Sequence, residues 1–121
     1  MNFKFSEEEE ITKELAAQIL RAGTSFDRLR QIEKDGAGPG FDRDLWKQLA
    51  DSNLIGLSVS EAYGGQGFSF VALCLLLEEA GRTLAPIPLL ESVILTLLPI
   101  EQFGSDALRK NWIPKVVSGD A

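Results

Sequence analysis

The chain has 121 residues, 45% of them hydrophobic, which suits a single domain with its own core. Its net charge of −6 argues against a nucleic-acid surface, which needs clustered Lys and Arg. With no histidine and one cysteine, an intrachain disulfide, a Ser–His–Asp triad, a Cys–His dyad and histidine- or cysteine-based metal sites are all excluded.

Residues 1–10 are acidic and match neither a secretory signal nor an Arg-rich transit peptide, so the chain reads as cytoplasmic. Ser6 and Glu9 have the spacing of a capping box. Ile11, Leu15, Ile19 and Leu20 then follow at helical spacing up to a stop at Gly23. The Glu7–Glu10 run complements the helix dipole and reads as a solvated face. A second helix follows Thr24 or Ser25, with Phe26, Leu29 and Ile32 as its stripe. Residues 35–40 hold Gly and Pro that break regular structure, so they form a loop. Asp42 caps a third helix carrying Leu45, Trp46, Leu49 and Ala50.

Residues 53–59 are apolar but short, either extended or a single turn. The run Tyr63-Gly64-Gly65-Gln66-Gly67 cannot be regular structure. Ser69 caps a strongly apolar helix ending near Gly81, which should be buried on nearly all sides. Cys74 lies inside it and reads as a small buried hydrophobe, not a reactive thiol. Pro86 and Pro88 mark the next boundary, and Pro88 or Leu89 starts a helix that Gly104 ends. Residues 84–100 are the most apolar stretch, yet they contain Glu91 and three prolines. A membrane span needs ~20 mostly apolar residues, so none is expected. Ser105 or Asp106 caps a last helix running through Trp112 towards Val117. The elements add up to an all-α fold, an orthogonal or up-down bundle of about six helices with short Gly/Pro loops, occupying residues 1–121 as one domain.

Three features could carry function. Glycines before a helix can present N–H groups to a phosphate, but neither a P-loop Lys-Ser/Thr nor a Gly-x-Gly-x-x-Gly is present. A tight structural loop is therefore the favoured reading of residues 63–67. On the helix over residues 88–103, Ile87, Glu91, Leu95 and Pro99 form one row, with Pro88, Ser92 and Thr96 beside it. Leu90, Val93, Ile94, Leu97 and Leu98 make the rest apolar. Pro99 removes the N–H that would reach the Leu95 carbonyl, which predicts a kink. That row either lines a cavity or faces solvent, and periodicity leaves both open. Gly104-Ser105-Asp106 reads as a helix stop followed by a helix start.

Taken together, several segments resemble the acyl-CoA dehydrogenase family. Residues 54–67, Leu-Ile-Gly-Leu-Ser-Val-Ser-Glu-Ala-Tyr-Gly-Gly-Gln-Gly, are similar to its Leu-Gly-Leu followed by Pro-Glu-x-Tyr-Gly-Gly-x-Gly. Leu77-Glu78-Glu79-Ala80-Gly81-Arg82, Pro86-Ile87-Pro88, residues 103–114 and Gly119-Asp120-Ala121 follow in the family's order. Ser60 departs from the pattern, since the family usually has proline there.

The resemblance implies the N-terminal helical domain of a three-domain FAD enzyme that oxidises an acyl-CoA thioester to the trans-2-enoyl-CoA. It implies that the middle β-domain and C-terminal helical domain, absent from this chain, hold most of the FAD and the catalytic glutamate. It gives this chain no catalytic or metal-binding residue. It implies that Ile87, Pro88, Glu91, Ser92 and Leu95 wall the acyl-chain pocket. It further implies acyl-CoA as substrate, an electron-transfer flavoprotein or similar acceptor, and a homotetramer or heteromer. Two rival readings are a non-catalytic helical module that binds another protein, and the same domain in an acyl-CoA or nitroalkane oxidase.

Overall fold

The computed structural model describes residues 1–35, 38 and 40–121, and every regular element among them is helical. Helix α1 (Glu7–Gly23) opens on the expected capping box: the Glu9 N–H donates to Ser6 Oγ and the Ser6 N–H to the Glu9 carboxylate. Thr12, Ala16 and Leu20 form its buried row, with Leu15 and Ile19 half-buried beside it and Ile11 exposed. Helix α2 (Phe26–Lys34), capped by Ser25, buries no residue, and Phe26 is exposed. Of the loop expected at residues 35–40, Gly36, Ala37 and Pro39 lie outside the described residues.

Helix α3 (Arg43–Asp51), capped by Asp42, buries Leu45, Trp46, Leu49 and Ala50, as their spacing requires. Residues 54–59 then cross the core as successive turns, with Leu54, Ile55, Leu57 and Val59 all buried. A 3₁₀ turn (Glu61–Tyr63) leads into the glycine loop. Helix α4 (Phe70–Thr83), capped by Ser69, runs past Gly81 and closes on Leu84 in the left-handed region. A π-helical segment (Leu90–Leu97) continues directly into α5 (Leu98–Phe103). Helix α6 (Asp106–Val117) follows, with Ser105 as its cap.

Helix α1 lies along α4, the most extensive pairing in the fold. Glu79 of α4 is buried at that seam and accepts from Arg21 Nη2 at 3.3 and 3.4 Å, with Arg82 Nε 3.5 Å away. A buried carboxylate is tolerated only with such partners. Ile113, Val116 and Val117 of α6 join the 54–59 turns in the core. None of the described helices is long and apolar enough to cross a membrane.

Two expectations are corrected. Helix α4 is not buried on nearly all sides: Ala72, Leu73, Leu75, Leu76 and Glu79 are buried, whereas Phe70, Val71, Cys74 and Glu78 are exposed. Cys74 is therefore an exposed free thiol and not a small buried hydrophobe. The reason is geometric. Residues 70, 74 and 78 share one exposed face, and an apolar composition cannot say which faces find a neighbour.

Candidate functional site

The glycine loop is built inward. The Gly64 N–H donates to Glu61 O, Gly65 to Ser60 O, Gln66 to Gly56 O, Gly67 to Val59 O and Phe68 to Leu57 O, all at 2.8–3.2 Å. Every amide that could have faced a phosphate is spent on the chain's own carbonyls. Gly64 has φ +89°, a conformation that L side chains avoid. A Cβ on Gly65 would fall on the Val59 carbonyl. Those two positions account for the adjacent glycines by backbone geometry, and the loop is structural.

Ser60 shows how this chain manages without the expected proline. Its hydroxyl accepts from the Ala62 N–H at 3.3 Å, capping the 3₁₀ turn. Its own N–H, which a proline would lack, donates to Glu101 Oε1 at 2.9 Å. Glu101 thereby ties α5 to the loop. Sequence reasoning passed over it, because a lone glutamate in an amphipathic pattern reads as solvated surface.

The helix after Pro88 is the second region. Residues 90–97 carry i→i−5 hydrogen bonding, in which Leu98 N–H donates to the Val93 carbonyl. The next residue, Pro99, has no N–H with which to extend that pattern, and α-helical bonding resumes in α5. The expected kink at Pro99 thus takes the form of a register change. Thr96 Oγ1 adds a bond to the Glu91 carbonyl at 2.8 Å, five residues back. Leu89, Val93 and Leu97 turn into the core, while Leu90, Glu91, Leu95 and Thr96 are exposed.

The five residues singled out from the sequence fall into three groups. Ile87, Pro88 and Glu91 border one depression of about 410 Å³ together with Gly40, Phe41, Ala85 and Pro86. Pro88 and Ser92 border a second, of about 460 Å³, with Phe41, Arg43, Trp46 and Lys47 among its other walls. Leu95 is 65% exposed and borders neither. Towards the other end of the same helix, Leu98, Glu101 and Gln102 line a hollow of about 490 Å³ with Ser58, Phe68 and Phe70.

The wall is anchored through Asp42, another residue that the sequence marked only as a cap. Asp42 is 3% exposed, and its N–H donates to the Pro86 carbonyl at 2.8 Å. Its carboxylate accepts from Arg28 Nε at 2.8 Å and Nη2 at 3.0 Å, and from the N–H groups of Asp44 and Leu45. The Arg28 hydrogen bond holds the Asp42 carboxyl below the usual carboxylate range, against the opposing cost of burial. The same pairing raises Arg28.

The sequence matches the family described as acyl-CoA dehydrogenase, N-terminal domain, over residues 6–120. The chain belongs to that family. It is 38% identical over 90 residues to acyl-CoA dehydrogenase FadE27 of Mycobacterium tuberculosis, covering 74% of this chain and 24% of the relative. Isovaleryl-CoA dehydrogenase of Oryza sativa is 33% identical over 81 residues, 65% of this chain and 20% of the relative. Among solved structures, the ChsE4–ChsE5 complex of Mycobacterium tuberculosis superposes with a TM-score of 0.90 at 32% identity, over 99% of this chain and 32% of that one. The Tcur3481–Tcur3483 steroid ACAD G363A variant gives 0.84 at 38% identity, over 93% and 30%. The chain thus spans a fifth to a third of the length of these relatives. As an acyl-CoA dehydrogenase N-terminal domain, it shares the family's all-helical architecture.

Proposed function

We propose that this domain works within a longer FAD-dependent acyl-CoA dehydrogenase, where it walls the acyl-chain pocket and supplies no catalytic base. The observation that carries this reading is the helix over residues 87–103. In a domain of this family, it has one face in the core and another, bearing Glu91 and Leu95, that is exposed, with Glu91 bordering a depression. FAD would supply hydride acceptance when bound. Among the described residues, the glycine-loop amides are internally bonded, and Arg21, Arg28 and Arg82 are paired with carboxylates. In this reading most FAD contacts and the base come from the rest of the enzyme.

Within this reading, Ile87, Pro88, Glu91, Ser92 and Leu95 contact the acyl group, exclude water from it and limit its length. Each CH₂ removed from water contributes ~0.8 kcal/mol, so pocket depth separates chain lengths in small steps. The relatives include an isovaleryl-CoA dehydrogenase and a steroid ACAD, whose names point to substrates of very different size. The wall residues are where such a difference would be read. An electron-transfer flavoprotein or similar acceptor, and assembly as a homotetramer or heteromer, complete the proposal. A cytoplasmic setting goes with it.

The test is the full-length flavoenzyme. Bound flavin that bleaches on adding an acyl-CoA supports the reading, and a preparation with neither property rejects it. In the same enzyme, Leu95→Trp is expected to shift preference towards shorter acyl groups across a panel from isovaleryl-CoA to a steroid side-chain thioester. An unchanged profile removes Leu95 from the wall.

A further inference from the structure

The π-helical register of residues 90–97 is the least ordinary backbone feature of the domain, and the acyl-wall reading leaves it unexplained. Extended i→i−5 bonding is rare and usually lasts a single turn. Here it spans eight residues and includes Glu91, Ser92 and Leu95 of the side chains assigned to the wall. Two features hold it. Pro99 cannot donate, and in an α-helix its ring would press on the carbonyl four residues back, that of Leu95. Thr96 Oγ1 is bonded to the Glu91 carbonyl, an acceptor placed five residues back. The run of i→i−5 bonds ends with the Leu98 N–H, immediately before the proline.

Register decides which side chains share a face. With i→i−5 bonding, residues four and five apart lie above one another, which stacks Leu95 and Thr96 over Glu91. In an α-helix, residues three and four apart do so, which would bring Ile94 beside Leu95 and carry Thr96 away. The widened turn also sets the rotation between the two ends of the helix. Ile87, Pro88 and Glu91 border one depression near its start, and Leu98, Glu101 and Gln102 border another near its end.

We propose that Pro99 is a positioning residue. By holding residues 90–97 in the i→i−5 register, with Thr96 as its second clamp, it presents Glu91, Leu95 and Thr96 together to the acyl group and so sets acyl-length preference without touching substrate. This rests on the acyl-wall reading above. The ligand class is the apolar acyl portion of a thioester.

Pro99→Ala and the double variant Pro99→Ala/Thr96→Val separate the possibilities in the full-length flavoenzyme, with Leu95→Trp alongside. Two quantities are read: the register, from a crystal structure of each variant, and the ratio of kcat/KM for long against short acyl-CoA thioesters. The expected result is that Leu98 N–H moves from the Val93 to the Ile94 carbonyl, and that the ratio changes by about fourfold or more, the equivalent of one methylene. A purely structural role would lower stability without moving that ratio. Retention of the Leu98–Val93 bond in the double variant overturns the proposal whatever the pocket does. An α register with an unchanged ratio, while Leu95→Trp does shift it, overturns the positioning role and leaves the wall reading intact. If neither Pro99→Ala nor Leu95→Trp moves the ratio, Leu95 is no part of the wall and the positioning proposal fails with it.

Discussion

The glycine loop and the helix that follows Pro88 are opposites in how they treat their own backbone. At the loop, five consecutive N–H groups are bonded to carbonyls of residues 56–61, and Leu54, Ile55, Leu57 and Val59 of the preceding turns are buried. Along the helix, the ladder is widened to i→i−5 over residues 90–97, and Leu90, Glu91, Leu95 and Thr96 stand exposed. The segment with the more conspicuous sequence motif is thus the one with nothing left to offer a ligand. The segment with the plainer sequence keeps its side chains free. A glycine cluster records where backbone must pass close to backbone, and in this fold that purpose uses up the donors that would make it a phosphate site.

This contrast can be broken at several points. The largest effect is expected at the loop itself. Gly65→Val would drive a side chain into the Val59 carbonyl and should destabilise the domain by about 3 kcal/mol, read from urea unfolding. A loss well under 1 kcal/mol would mean that the loop is pliable and its closure incidental.

Asp42 joins the wall to α3, and Asp42→Ala should cost about 1–2 kcal/mol near neutral pH through the lost helix cap alone. The pH dependence is a sharper check. Because the folded-state pKa of Asp42 lies below its unfolded value, its contribution is present above pH ~4 and is lost as pH falls through the folded pKa. The variant should therefore lose less stability than the parent below pH ~4. An identical acid profile would contradict the Arg28 pairing.

Ser60 joins the loop to α5. Its φ of −55° and ψ of 142° would admit proline, and a proline would stabilise through the unfolded chain by ~0.4–1 kcal/mol. The substitution also deprives the half-buried Glu101 of its donor, a hydrogen bond to a charged group that contributes ~1.5–3 kcal/mol. Ser60→Pro should thus be net destabilising by about 1 kcal/mol, and adding Glu101→Ala should recover part of the loss. A stabilised single variant would show that the Glu101 contact contributes little.

The smallest change is expected on the open side. Cys74→Ser should shift stability by no more than ~0.5 kcal/mol, the ordinary range for an exposed site, and native Cys74 should react readily with a thiol reagent. A large loss would return Cys74 to the core.

Most of the fold was legible in residue order, because caps and periodicity are local properties. Ser6, Asp42 and Ser69 each cap the helix that their position announces, and Ser25 and Ser105 are the caps chosen from the two pairs that the sequence left open. The buried row of α3 follows from spacing alone, since those side chains share a face in any α-helix. The family was legible too, in the order of segments from residue 54 onwards, and the match over residues 6–120 bears it out.

What residue order could not settle was everything that depends on distant partners. The exposure of Phe70 and Cys74 depends on where α1 lies, not on how apolar α4 is. Glu101 became a tie only when α5 was brought beside Ser60, 41 residues earlier in the chain. Glu79 at the α1–α4 seam gains a partner from Arg21, 58 residues earlier, beside the local Arg82. Pro99 announced an irregularity, since a missing N–H is a local fact. Its form, a widened turn that keeps Val93 and Leu97 in the core, was decided by packing, which sets the cost of rotating those two side chains out of their places.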